Sequence, residues 1–122
     1  MKIKLCGKEL ELKVDMADAK EVSQLEDSVE ELTKKLVELE QQTKKYSQII
    51  REEVKYTRKW LDKLFEKGIG QQVLSEDDSL HDVYLVLRTM GNLRRLYSKQ
   101  IVEEAITKAL EKYSPQRAQR SE

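Results

Sequence analysis

The first fourteen residues alternate between apolar and charged side chains on both sides of a glycine. Alternation with period two is typical of a half-buried strand, and glycine tolerates the positive φ of a tight turn. The pattern predicts a β-hairpin with strands near 1–5 and 9–14. Because a lone hairpin is marginally stable in water, its apolar face must pack on the rest of the chain. The alternating apolar residues are Met1, Ile3, Leu5, Leu10, Leu12 and Val14.

The next stretch changes from period two to a helical period. Its apolar positions are three and four residues apart, and the positions between them are nearly all charged, as in a coiled-coil heptad. We expect a helix over about 16–42, with Asp15 as its N-cap. Its narrow apolar seam requires a helical partner, from this chain or from another. The seam consists of Val22, Leu25, Val29, Leu32, Leu36 and Leu39, followed by Thr43 and Tyr46.

Two further helices are predicted at about 48–67 and 80–113. Polar residues at 42–47 favour a break before the first, although one unbroken helix from 16 to 67 remains open. Trp60 and Phe65 widen its apolar face, and Gly68 is placed to end it. A short helical turn at 70–74 and a loop at 75–79 follow. Gly91 weakens the last helix, and Pro115 ends it.

The predicted fold is therefore α+β and mainly α, an N-terminal β-hairpin followed by a bundle of three or four helices. Residues 1–113 form a single domain, with the hairpin at 1–14 and the helices at 15–113. Residues 114–122 contain no large apolar side chain and are expected to be a flexible C-terminal tail.

The charge balance argues against a general binder of polyanions. The 122 residues include 23 Lys and Arg and 23 Asp and Glu, whereas nucleic-acid-binding domains usually carry a basic excess. One basic cluster on the last helix could grip phosphates, but a solvated or acid-paired face fits the zero net charge better. The cluster consists of Arg88, Arg94, Arg95 and Lys99.

Candidate catalytic chemistry is sparse. His81 and Cys6 are the single histidine and cysteine, so no metal-ligand spacing and no nucleophile–base pair can be assembled. No glycine-rich phosphate loop is present, and we expect no cofactor and no enzymatic activity. No export signal or apolar span long enough for a membrane is apparent, and the lone cysteine fits a reducing compartment. A cytoplasmic interaction protein is expected.

Several stretches resemble the small tail assembly chaperones of long-tailed phages and prophages of Gram-positive bacteria. They are the hairpin KIKLCGKELEL, the charged helix DMADAKEVSQLEDSVEELTKKL, the aromatic helix YTRKWLDKLFEKGIG and the ending KYSPQRAQR. The resemblance implies a non-catalytic protein of the bacterial host cytoplasm. Such a protein coats the apolar, helical tape measure protein, passes it to the polymerising tail tube protein, and often self-associates.

Two surfaces are the candidates for these contacts. If the seam is open, Leu25, Leu32, Leu36 and Leu39 bind the tape measure protein, with Trp60 and Phe65 as core support. If it closes within the chain, the hairpin edge or the last helix becomes the binding surface. The strand edge near Leu10 and Leu12 is the candidate for self-association. A homo-oligomeric coiled-coil adaptor is the main alternative, and a nucleic-acid binder is a weaker one.

Overall fold

A computed structural model describes the backbone of residues 1–75 and 79–120 and the side chains of residues 1–75 and 79–112. In these described residues a two-stranded antiparallel hairpin precedes five helices, so the α+β, mainly α prediction is confirmed. The elements are β1 (Lys2–Leu5), β2 (Lys8–Glu11), α1 (Ala19–Glu40), α2 (Tyr46–Leu64), α3 (Ile69–Val73), α4 (Leu80–Gly91) and α5 (Leu93–Arg120). The chain divides into two compact units, Met1–Gly91 and Asn92–Glu122.

The hairpin turns on two residues in the left-handed region. Cys6 has φ of 49° and Gly7 has φ of 80°, which is the requirement of a two-residue type I′ turn whose twist matches that of the strands. Ile3 lies opposite Leu10 in the antiparallel register. Ile3 and Leu5 are buried, and β1 packs against α4. The second strand is shorter than predicted and ends at Glu11.

The first unit is organised around α2. This helix packs against α1, α3 and α4, and α1 also contacts α4. Apolar side chains from every element of this unit except β2 fill the core between them. The fully or nearly fully buried members include Leu5, Leu32, Val54, Leu61, Val73, Val83 and Val86.

The start of α1 differs from the prediction. Asp18, not Asp15, is the N-cap, and its Oδ1 accepts a hydrogen bond from the Lys20 amide at 3.0 Å. Asp15 lies in the preceding turn, where its Oδ1 accepts from the Ala17 amide at 2.9 Å. Both residues can satisfy nearby amides, so sequence alone placed the cap three residues early.

The sequence 41–45 separates α1 from α2, so the predicted break is confirmed and the single long helix is not formed. α2 ends at Leu64, earlier than the predicted residue 67. Gly68 has φ of 95° and stands at the start of α3. Asp62 Oδ1 accepts hydrogen bonds from the amides of Gly68 at 3.2 Å and Gly70 at 2.7 Å. This carboxylate therefore fixes the α2–α3 corner.

The second unit consists of α5. The predicted helix at 80–113 is divided at Asn92, and α5 extends beyond Pro115 to Arg120. Proline removes one amide donor, but its fixed φ is compatible with a helix, so it does not always end one. The single domain over 1–113 and the mobility of 114–122 stay predictions. The acidic centre of the loop at 75–79, residues 76–78, lies outside the described residues.

Candidate interaction surfaces

The leucine seam of α1 is closed within the chain. Leu25, Leu32, Leu36 and Leu39 are each at most 5% exposed, and α1 packs against α2 and α4. The Trp60 indole Nε1 donates a hydrogen bond to the Ser28 carbonyl at 3.0 Å, which joins α2 to α1. The seam is therefore not open, because the chain itself supplies the helical partner.

Trp60 and Phe65 differ in their contribution to this core. Trp60 is only 6% exposed, as expected for core support. Phe65 is half-buried and serves as the C-cap of α2. The widened apolar face predicted for this helix thus ends at Leu64, before Phe65.

The hairpin has outer strand edges that could pair with another strand, but the side chains of Leu10 and Leu12 are half-buried or buried. Leu12 is 1% exposed, and Leu10 is half-buried. Each strand has one ladder partner in the two-stranded sheet. The outer edge of a strand carries unpaired main-chain groups that another strand could use. Self-association through this edge stays a prediction, and it would use the main chain rather than these two side chains.

The second unit carries an exposed apolar stripe on α5. Every residue from Ile101 to Lys112 is exposed. The large apolar side chains recur at helical spacing and would lie on one half of the helix circumference. With Ala105 and Ala109 between them, they form what we call the α5 stripe. Its large members are Ile101 at 45% exposed, Val102 at 55%, Ile106 at 54% and Leu110 at 55%.

The residues of the predicted basic cluster lie in both units. Arg88 lies in the first unit, whereas Arg94, Arg95 and Lys99 lie in the second. Lys99 Nζ lies 3.9 Å from Glu103 Oε1 one turn away. All four side chains are exposed. The arrangement fits a solvated face with local pairing.

A basic groove lies instead between the end of α1 and α2. It encloses about 340 Å³ and is lined by four lysines and one glutamate, among other side chains. Lys44 Nζ pairs with Glu52 Oε1 at 2.8 Å, and Lys35 Nζ lies 5.8 Å from the centre of the Tyr56 ring. The lysines are Lys35, Lys44, Lys55 and Lys59.

The lone cysteine is not activated, and the lone histidine lies at the surface. Cys6 Sγ donates to the Asp82 carbonyl at 3.6 Å. Burial, and then the negative charge of Asp82, raise the pKa of the Cys6 thiol to about 11. A thiol with a raised pKa is a poor nucleophile near neutral pH. His81 is exposed in the first turn of α4.

An acidic group is buried beside α1. Glu53 of α2 is 1% exposed, and its side chain is hydrogen-bonded to that of Glu40. Burial first, and then the bond to and charge of Glu40, raise the pKa of Glu53 to about 7. Among the described side chains, no group of three or more His, Cys, Asp or Glu residues is placed to hold a metal ion.

Residues 8–122 match a family described as a family of unknown function, DUF6673. The chain belongs to the DUF6673 family. No curated protein and no solved structure matches it. In the described part of this DUF6673 chain, no helix has the length and apolar character needed to cross a membrane.

Sequence reasoning missed the buried glutamate and the basic groove of this DUF6673 protein. Glu53 is four residues from both Ile49 and Thr57, so helical spacing alone places it on the buried face of α2. The dipeptide Glu52-Glu53 obscured this signal because both look solvent-exposed. The groove had no comparable signal, since its lysines come from α1, α2 and the connection at 41–45, and they meet only when the two helices pack together.

Proposed function

We propose that this DUF6673 protein is a non-catalytic tail assembly chaperone of a long-tailed phage or prophage. Its client is the tape measure protein, which it keeps soluble until the tail tube protein polymerises around it. The resemblance of the hairpin and helices supplies this expectation. The α5 stripe is the observation that carries the proposal, because it leaves large apolar side chains available for another protein.

The stripe has the chemistry that a helical client requires. An amphipathic client can lay its apolar face along exposed residues at i, i+4 and i+8, as Val102, Ile106 and Leu110 are. Removing apolar surface from water favours association by about 25 cal/mol for each Å² buried. Ala105 and Ala109 lie between the larger side chains and allow close approach of a second helix. The closed α1 seam is not needed for this contact.

Several copies could coat one long client. A tape measure protein presents repeated apolar helical surface, so each chaperone needs only a local contact. The outer hairpin edges could join neighbouring copies by strand pairing, since each described strand has one ladder partner in the sheet. Such coupling would make binding of successive copies cooperative.

Co-expression with the tape measure protein of the same tail operon tests the proposal. The wild-type chain should raise the soluble fraction of the client severalfold. Ile106→Glu should abolish most of that gain because it places a charge within the stripe. Thr107→Glu is the matched control, since it adds the same charge at the adjacent position, about 100° around the helix and off the stripe.

The control should retain the solubilising effect. Equal loss with Ile106→Glu and Thr107→Glu would show that the stripe does not make the contact. No gain in client solubility with the wild-type chain would refute the chaperone function itself.

A homo-oligomeric coiled-coil adaptor is the second candidate function. It is favoured by the same stripe on a helix of 28 residues, which is long enough for a stable helix pair. Sedimentation equilibrium separates the two. A stable oligomer that Ile106→Glu dissociates, and that tape measure fragments leave unchanged, would favour the adaptor over the chaperone.

A further inference from the structure

Glu53 occupies an unusual position for a carboxyl group. It lies on the buried face of α2, a helix that packs against both α1 and α4. Glu53 is 1% exposed. Its Oε2 atom is buried and has no hydrogen-bond partner among the described side chains and backbone. A buried carboxylate with an unpaired oxygen is costly, whereas a protonated carboxyl carries no charge to desolvate. The surroundings therefore favour the neutral acid.

The neighbouring groups also favour the neutral acid. The side chain of Glu53 is hydrogen-bonded to that of Glu40 at the end of α1. Carboxylates only accept hydrogen bonds, so a bond between two carboxyl groups requires a proton on one of them. The phenols of Tyr46 on α2 and Tyr84 on α4 also act electrostatically within this cluster. Glu40 is exposed, so a proton can reach the pair from solvent.

We propose that Glu40 and Glu53 form a proton-dependent latch between α1 and α2. With the shared proton, the latch holds the end of α1 against α2. Without it, two adjacent carboxylates repel each other and loosen this corner of the first unit. Leu39 precedes Glu40, and Ile49 lies one turn before Glu53. Loosening therefore gives water access to this end of the leucine seam.

The direction of the pH dependence follows from the raised pKa. The pKa of Glu53 rises from 4.5 to about 7 in the folded chain, because of burial and then of Glu40. Stability from this group is complete below the unfolded value and is lost as the pH rises through the folded value. Tyr84 is affected in the same sense, since burial and then Glu40, Glu53 and Tyr46 raise its pKa.

Urea unfolding of the full chain at pH 5.5 and pH 8.0 tests the latch. For the wild type, proton linkage with these pKa values gives a rise of about 30-fold in the unfolding equilibrium constant over this range. Glu53→Gln keeps the side-chain shape and can donate an N–H to Glu40 at either pH. It should flatten the dependence. Every variant retains His81, so the comparison between variants does not depend on this residue.

Two further variants complete the experiment. Glu52→Gln is the matched control, because it removes the partner of Lys44 and leaves the latch in place; it should keep the wild-type slope. Glu40→Gln changes an exposed residue and should reduce the slope without removing it, because burial, the larger cause of the raised pKa of Glu53, remains. This variant keeps the test decisive if Glu53→Gln does not fold.

Hydrogen exchange locates the effect. At pH 8.0, amides of residues 36–50 should be less protected in the wild type than in Glu53→Gln or Glu40→Gln. The proposal is overturned if the wild type shows no loss of stability, if Glu40→Gln keeps the full slope, or if the difference in protection lies elsewhere in the chain.

Discussion

Helices α1 and α5 both carry large apolar side chains at helical spacing, but their surroundings are opposite. The leucines of α1 are at most 5% exposed, whereas Val102, Ile106 and Leu110 of α5 are at least 54% exposed. The α1 leucines are covered by α2 and α4 within the same unit. Spacing thus determines which face of a helix is apolar, and only packing determines whether that face is available to another protein.

The largest expected effect comes from truncating one residue of the α1 seam and comparing it with one residue of the α5 stripe. Leu32 is fully buried and Val102 is 55% exposed. Leu32→Ala should lower the free energy of unfolding by about 2–5 kcal/mol, because it leaves a cavity as well as removing apolar contacts. Val102→Ala should change it by less than about 0.5 kcal/mol. Urea denaturation of the purified chain measures both.

Similar losses from the two substitutions would contradict the contrast. A large loss with Val102→Ala at high protein concentration, but not at low concentration, would instead indicate that a second copy covers the stripe. Repeating the titration over a wide range of protein concentrations separates these results.

A glycine pair tests how tightly the first unit is packed. A Cβ atom on Gly70 would overlap the backbone of Arg58, whereas one on Gly91 would meet no atom of the described residues within 4 Å. Gly70→Ala should cost about 1–3 kcal/mol or more, since α3 must move away from α2. Gly91→Ala should be neutral or stabilise the chain by up to about 1 kcal/mol. Thermal unfolding compares them.

If Gly70→Ala has no larger effect than Gly91→Ala, α3 is not held against α2 as tightly as the structure shows. Far-UV circular dichroism is the control, because the helix content of both variants should match the wild type.

Local signals in the sequence were sufficient for much of the fold. Period two around Gly7 predicted the hairpin, and the heptad from Val22 predicted α1. Competing local signals displaced the boundaries. Asp15 and Asp18 can both cap a helix, and Gly68 begins α3 instead of directly ending α2.

The candidate site was less predictable because it depends on long-range contacts. The heptad predicted which leucines form the seam but could not show that α2 and α4 would close it. The exposure of the α5 stripe could not be predicted for the same reason. Its residues have the spacing of core residues, and only the packing shows that no other element of the described chain covers them. The latch joins Glu40 to Glu53 across the turn at 41–45. Helical spacing relates residues within one helix, so it could not reveal a contact between residues of two helices.

The smallest predicted effect concerns the backbone of the two helices. Glycine in an exposed helix interior costs about 0.5–1 kcal/mol relative to alanine. Glu31→Gly in the packed α1 should lower the global free energy of unfolding by about that amount. Ala105→Gly should leave the urea midpoint unchanged while increasing hydrogen exchange locally at 101–112. Residues 101–112 are all exposed, so this part of α5 gains little stability from tertiary packing. An equal shift of the urea midpoint by both variants would show that this part of α5 unfolds together with α1. The contrast between the α1 seam and the α5 stripe would then not extend to the stability of the two helices.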